Sequence, residues 1–234
     1  MTQPVIVALD LDNEKDLETI LAKLGKPQDV FIKIGMELFF NAGPNLVSDL
    51  AKKGYKIFLD LKMNDIPNTV YNGARQLARL GIKLTTVHAL GGSEMIKAAK
   101  QGLIDGSLDA RQVPKLLVVT ELTSISPSIL KNEQNCNLSM KQQVISLAKL
   151  AKNSNADGVI CSALEVRDLR QAIGDNFLYI TPGIRMDSNT GDQMRVTTPT
   201  QAKEWGASAI VVGRPIIQAD NPEKMYQKFK KEFN

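Results

Sequence analysis

A chain of 234 residues that is 43% hydrophobic and 23% charged suits one soluble globular domain, and it can bury about 70–75% of its unfolded surface without staples. Two distant cysteines, Cys136 and Cys161, no stretch near the ~20 apolar residues of a membrane helix, and an apolar N-terminal run cut short by Asp10 together lead us to expect a reduced cytoplasmic protein, with no membrane and no targeting signal. The net charge of +4 is scattered over helical segments such as Lys97–Lys100 and Lys228–Lys231, which argues against nucleic acid and suits an anionic small molecule.

In chain order, short apolar runs alternate with longer amphipathic ones. The expected strands are Val5–Asp10, Val30–Gly35, Lys56–Lys62, Leu84–His88, Leu116–Thr120, Gly158–Cys161, Leu178–Thr181 and Ala209–Gly213. Helical spacing marks Glu14–Leu24, Pro44–Lys53, Thr69–Leu80, Ser93–Gln101 and Met140–Lys152 between them. Repeated β-then-α order implies parallel strands with helical crossovers. Such a series suggests one closed (β/α)8 TIM barrel over residues 1–234, with an open doubly wound sheet as the alternative. No composition break divides the chain.

Side chains alternate along a strand, so Val5, Val7 and Leu9 oppose Ile6, Ala8 and Asp10. Ile32 and Ile34 oppose Phe31 and Lys33, and Ile57, Leu59 and Leu61 oppose Phe58, Asp60 and Lys62. The charged residues thus share the inward face at the C-terminal strand ends, where barrel active sites lie. Burying an unpaired charge costs several kcal/mol, roughly, so a mere core would not hold this set. A compensated structural ion-pair network is the other reading.

The run Asp60-Leu61-Lys62, followed by Asp65-Ile66-Pro67-Asn68-Thr69, is the sharpest signal. Carboxylates around a lysine favour its charged form, and a positioned ammonium can stabilise a carbanion and then deliver a proton to it. Ile210-Val211-Val212-Gly213-Arg214-Pro215 reads as a buried strand, a glycine turn and a helix opened by proline. That arrangement can bind phosphate through backbone N–H groups and the Arg214 guanidinium. A plain turn beside a surface arginine is the other reading.

With Asp10 and Lys33 closing the first two strands, these segments, and further runs at Glu121–Ser124 and Thr181–Arg185, the chain resembles the orotidine 5′-phosphate decarboxylase family over its whole length. The resemblance implies conversion of orotidine 5′-phosphate to UMP and CO2. Lys62 would protonate C6, Asp60 would sit beside the substrate carboxylate, and Asp65 would complete the array from the second subunit of a homodimer. Asp10 and Lys33 would bind the ribose, with Ile66 and Thr69 also reaching the substrate across the interface. Thr123 would meet the pyrimidine edge, and Gln193, Gly213 and Arg214 would hold the phosphate with Arg185 nearby.

No cofactor and no metal are expected, because no nucleotide fingerprint, P-loop or thiolate cluster is visible and there is a single histidine. The polar stretch from Met186 to Asp192 suits a flap, an ordinary solvated loop being the alternative. His88 is expected to be a hydrogen-bonded structural histidine, Cys161 a small buried residue, and Trp205 a packing residue. Two rival functions remain: a magnesium-dependent sugar-phosphate synthase or decarboxylase on the same barrel, and a non-catalytic phosphate-ligand protein. A lysine at position 33 repels a divalent cation and weighs against the first.

Overall fold

The apolar runs are too short for buried helices and rich in β-branched residues, and each becomes a strand. In the computed structural model, which describes residues 3–186 and 196–234, these are β1 (Val5–Leu9), β2 (Phe31–Gly35), β3 (Lys56–Met63) and β4 (Leu84–His88), then β5 (Lys115–Val119), β6 (Gly158–Ile160), β7 (Leu178–Thr181) and β8 (Ala209–Val212). Every boundary lies within one residue of its expected place. The strands pair in parallel and in chain order, and β8 pairs with β1 to close the ring, with Ile6 opposite both Phe31 and Val211. The fold is a (β/α)8 barrel, and the open sheet is excluded.

The crossover helices are α1 (Glu14–Ala22), α2 (Met36–Lys52), α3 (Pro67–Ala78), α4 (Gly92–Gly106), α5 (Pro127–Asn132), α6 (Met140–Asn153), α7 (Val166–Ile173), α8 (Pro199–Glu204), α9 (Arg214–Ile217) and α10 (Pro222–Phe233). Their starts follow local chemistry. Asn13 caps α1 by accepting the Asp16 N–H, and Ser139 with Gln142 forms a capping box on α6. The largest departure is α2, while α4 runs on past Gln101 to Gly106. A helix was expected from Pro44, but helix begins at Met36 and is broken at Gly43, whose φ of 75° only glycine adopts readily. Met36–Ala42 is a separate helical stretch of about two turns, hidden in the sequence by the Gly-Pro punctuation behind it.

The alternation of strand residues sorts the core into two shells. Val5, Val7, Leu9, Ile32, Ile34, Ile57 and Leu59 pack outward under the helices with Leu17, Val47, Val70 and Phe229. Ile6, Ala8, Phe58, Leu84, Leu117, Ile180, Ala209 and Val211 fill the barrel interior. Interior packing stops short of the C-terminal rim, where the inward positions turn polar.

Candidate active site

The inward positions at the ends of β1, β2 and β3 carry Asp10, Lys33, Asp60 and Lys62, and the barrel brings all four to one cavity of about 250 Å³. They form a chain of alternating charge. Lys33 Nζ lies 2.9 Å from Asp10 Oδ1 and 3.8 Å from Asp60 Oδ2, and Lys62 Nζ lies 2.8 Å from the same Asp60 oxygen. Asp60 is the buried pivot at 7% exposure. Its second oxygen accepts the Thr86 hydroxyl at 2.8 Å, and Thr86 Oγ1 accepts the Lys62 backbone N–H at 2.9 Å. The carboxylate therefore meets three donors or cations, which offsets its desolvation.

Lys62 is held in an unusual backbone conformation. The β3–β4 register shifts between Leu59 and Met63, and Lys62 has φ 47°, in the left-handed region. Such irregularities re-aim side chains, and strain of this kind gathers at functional sites. Glycine next to the pair serves a different purpose. A Cβ on Gly35 would stand 3.3 Å from both Asp10 Oδ1 and Lys33 Nζ, so the bare backbone leaves room for that ion pair.

Thr123, Arg185, Gly213 and Arg214 line the same cavity. A Cβ on Gly213 would find only ordinary contacts, with Ala8 and Asp10 the nearest, so the protein's own packing does not demand glycine there. Gly213 stands on the cavity wall. The helix after it, α9, is a single turn.

Asp65, Ile66 and Thr69 do not line the cavity of their own chain. They are exposed in the turn into α3, and Asp65 Oδ1 accepts the neighbouring Ile66 N–H at 2.7 Å. Within one chain Lys62 pairs with Asp60, and Asp65 stands apart from that pair. Gln193 and the stretch from residue 187 to 195 lie outside the described residues.

Thr86 and Glu121 were missed in the sequence. Both continue the inward parity of their strands, Thr86 two residues after Leu84 and Glu121 two residues after Val119, so the rule that found Lys33 would have found them. His88 Nδ1 accepts the Leu90 N–H at 3.4 Å, the structural role expected. Burial pushes its imidazole below the ordinary 6.5, with Glu121 opposing that shift and Lys62 adding to it. Cys161 is buried at 1% exposure, and Trp205 packs against the outer shell. Among the described residues no group of His, Cys, Asp and Glu side chains is placed to hold a metal ion, and no helix is long and apolar enough to cross a membrane.

The family model described as orotidine 5′-phosphate decarboxylase / HUMPS matches residues 3–229. The chain is 70% identical to the orotidine 5′-phosphate decarboxylase of Lactobacillus gasseri, covering 100% of both sequences. It is 46% identical to that of Enterococcus faecalis over 98% of this chain and 97% of that one. A crystal structure of orotidine 5′-phosphate decarboxylase from Lactobacillus acidophilus superposes with a TM-score of 0.92 at 65% identity, covering 99% of each chain.

Proposed function

The chain belongs to the orotidine 5′-phosphate decarboxylase / HUMPS family, and from that premise we propose that it converts orotidine 5′-phosphate to UMP and CO2 without metal or organic cofactor, in pyrimidine nucleotide synthesis. The observation that carries this reading is the Lys62 ammonium, anchored on buried Asp60 at the cavity wall by a strained backbone.

Loss of CO2 from C6 leaves an electron pair on a vinylic carbon with no conjugated sink. A fixed ammonium next to that carbon lowers the barrier as charge develops, then donates a proton from Nζ to C6 and regains one from solvent. Asp60 holds the ammonium in place and stands next to the departing carboxylate. Lys33 and Asp10, paired with each other, present a donor and an acceptor suited to ribose hydroxyls. Arg214, Arg185 and the backbone at Gly213 suit the phosphate, an end to which the family resemblance also assigns Gln193. Phosphate binding far from the reacting bond supplies orientation at the ring.

The catalytic unit is a homodimer in which Asp65, Ile66 and Thr69 enter the partner's cavity. Support comes from the apolar residues exposed around successive βα turns: Met36 and Phe40 on α2, Ile66 before α3 and Leu90 after β4. Phe40 is 75% exposed and Ile66 66%, and exposed apolar side chains of this size suit the core of a subunit interface. The magnesium-dependent alternative is disfavoured by the ammonium of Lys33 wedged between Asp10 and Asp60.

The test is loss of ultraviolet absorbance from orotidine 5′-phosphate with purified protein in excess chelator. Conversion to UMP supports substrate, reaction and metal independence together. No conversion, with magnesium restoring activity on a sugar phosphate, would overturn the reading.

A further inference from the structure

Glu121 lines the catalytic cavity, yet it is only 3% exposed and the chemistry above gives it no part. Its two carboxylate oxygens are taken by different segments. Oε2 accepts the Gln134 side-chain N–H at 3.4 Å, from the stretch after α5, and Oε1 accepts the Gln143 side-chain N–H at 3.2 Å, from α6. Gln143 is itself fixed, its Oε1 accepting the Cys136 thiol at 3.5 Å. Two amide donors converging from separate segments are both met by the two oxygens of one carboxylate.

The segment joined in this way is the long excursion between β5 and α6, which carries only the short helix α5. Long excursions over a barrel mouth have functional rather than packing reasons for their length. This one begins with Leu122 and Thr123, both lining the cavity directly after Glu121. Glu121 thus ties the root of the excursion to its far end and to α6, at the point where the chain turns over the site.

We propose that Glu121, Gln134 and Gln143 form a clamp that positions Leu122 and Thr123 against the pyrimidine ring of the substrate, making Glu121 a positioning residue for the ring end of the site. This rests on the function proposed above. The phosphate end is built on β8 and on the segment after β7, strands that do not pair with β5 in the ring order, and neither glutamine of the clamp lies on them.

The experiment measures kcat and KM for orotidine 5′-phosphate, and inhibition constants for UMP and for ribose 5-phosphate, which lacks the ring. Variants are Glu121→Ala, Glu121→Gln, Gln134→Ala and Gln143→Ala. Losing one orienting hydrogen-bond set is expected to weaken UMP binding about tenfold in Glu121→Ala, while ribose 5-phosphate binding is unchanged. Gln134→Ala and Gln143→Ala shift in the same direction by less. Glu121→Gln recovers much of the loss, because the Gln134 amide can reverse: its Oε1 is buried without a partner and would accept the new N–H.

Equal weakening of both ligands, or of neither, overturns the clamp. Should Glu121→Ala not fold, the two glutamine variants decide: unchanged UMP binding in both overturns it. A wild-type protein that does not turn over orotidine 5′-phosphate defeats the proposed function instead, whereas active wild type with no ring-selective loss defeats the clamp alone.

Discussion

Replacing Lys62 by glycine and by alanine separates what the residue does from what its backbone costs. Both variants lose the ammonium and its 2.8 Å pair with Asp60, so that loss cancels between them. At φ 47° an L-residue carries roughly 1–2 kcal/mol of strain, which alanine keeps and glycine sheds. Glycine gives back about 0.4–1 kcal/mol through its freer unfolded chain. The glycine variant should therefore be the more stable by about 0.5–1 kcal/mol, a difference of roughly 1–4 °C in Tm for a chain of this size. Paired thermal and urea unfolding curves measure it. Turnover should fall in both by about 10⁴-fold or more, as expected on losing a proton donor and an electrostatic stabiliser together, with UMP binding largely kept. An alanine variant as stable as the glycine variant would refute the strained placement of Lys62, and near-normal turnover in either would refute its role.

Other outcomes follow from the same geometry. Arg214→Ala should raise KM by about ten- to a hundredfold with a smaller change in kcat, as steady-state kinetics would register, because charge-assisted hydrogen bonds to phosphate are lost. Mixing the inactive Lys62→Ala and Asp65→Ala proteins, after subunit exchange, should restore about a quarter of wild-type activity, since each mixed dimer rebuilds one intact site. Failure to complement would mean Asp65 works within its own chain or not at all. For His88, burial sets the folded imidazole below 6.5 while the unfolded one stays near it, so the unfolded chain binds the proton more tightly. Stability should fall as pH drops from about 6.5 through the folded value, and His88→Gln should flatten that part of the unfolding free energy against pH.

The barrel was legible because its strands are short β-branched runs whose two faces differ in kind. One rule, inward parity, placed Asp10, Lys33, Asp60 and Lys62 in a common cavity. The same rule was not carried on to Thr86 and Glu121, since neither sits in a charged motif. The backbone at Lys62 was not readable at all. Alternation places Lys62 on the face of Asp60, but the left-handed turn there arises from the register shift against β4, a pairing between strands that no local pattern encodes. The helix at Met36–Ala42 was hidden by the Gly43-Pro44 break. The placement of Asp65, Ile66 and Thr69 outside their own cavity follows from where the β3–α3 turn points, which depends on tertiary geometry alone.

The separation of the core into two shells has a bearing on how such a protein can change over generations. Most of the apolar burial lies outside the strand wall, between sheet and helices, while the interior cluster is small and ends below the rim. Rim side chains rest on a wall whose integrity is secured from behind. A lineage can exchange the acids, bases and phosphate ligands at the mouth, and with them its chemistry, while the scaffold's foldability stays intact. The strained lysine marks the limit of that freedom. Among the described residues it is the rim position where the wall itself is bent, and descendants that abandon the proposed chemistry there should drift toward glycine.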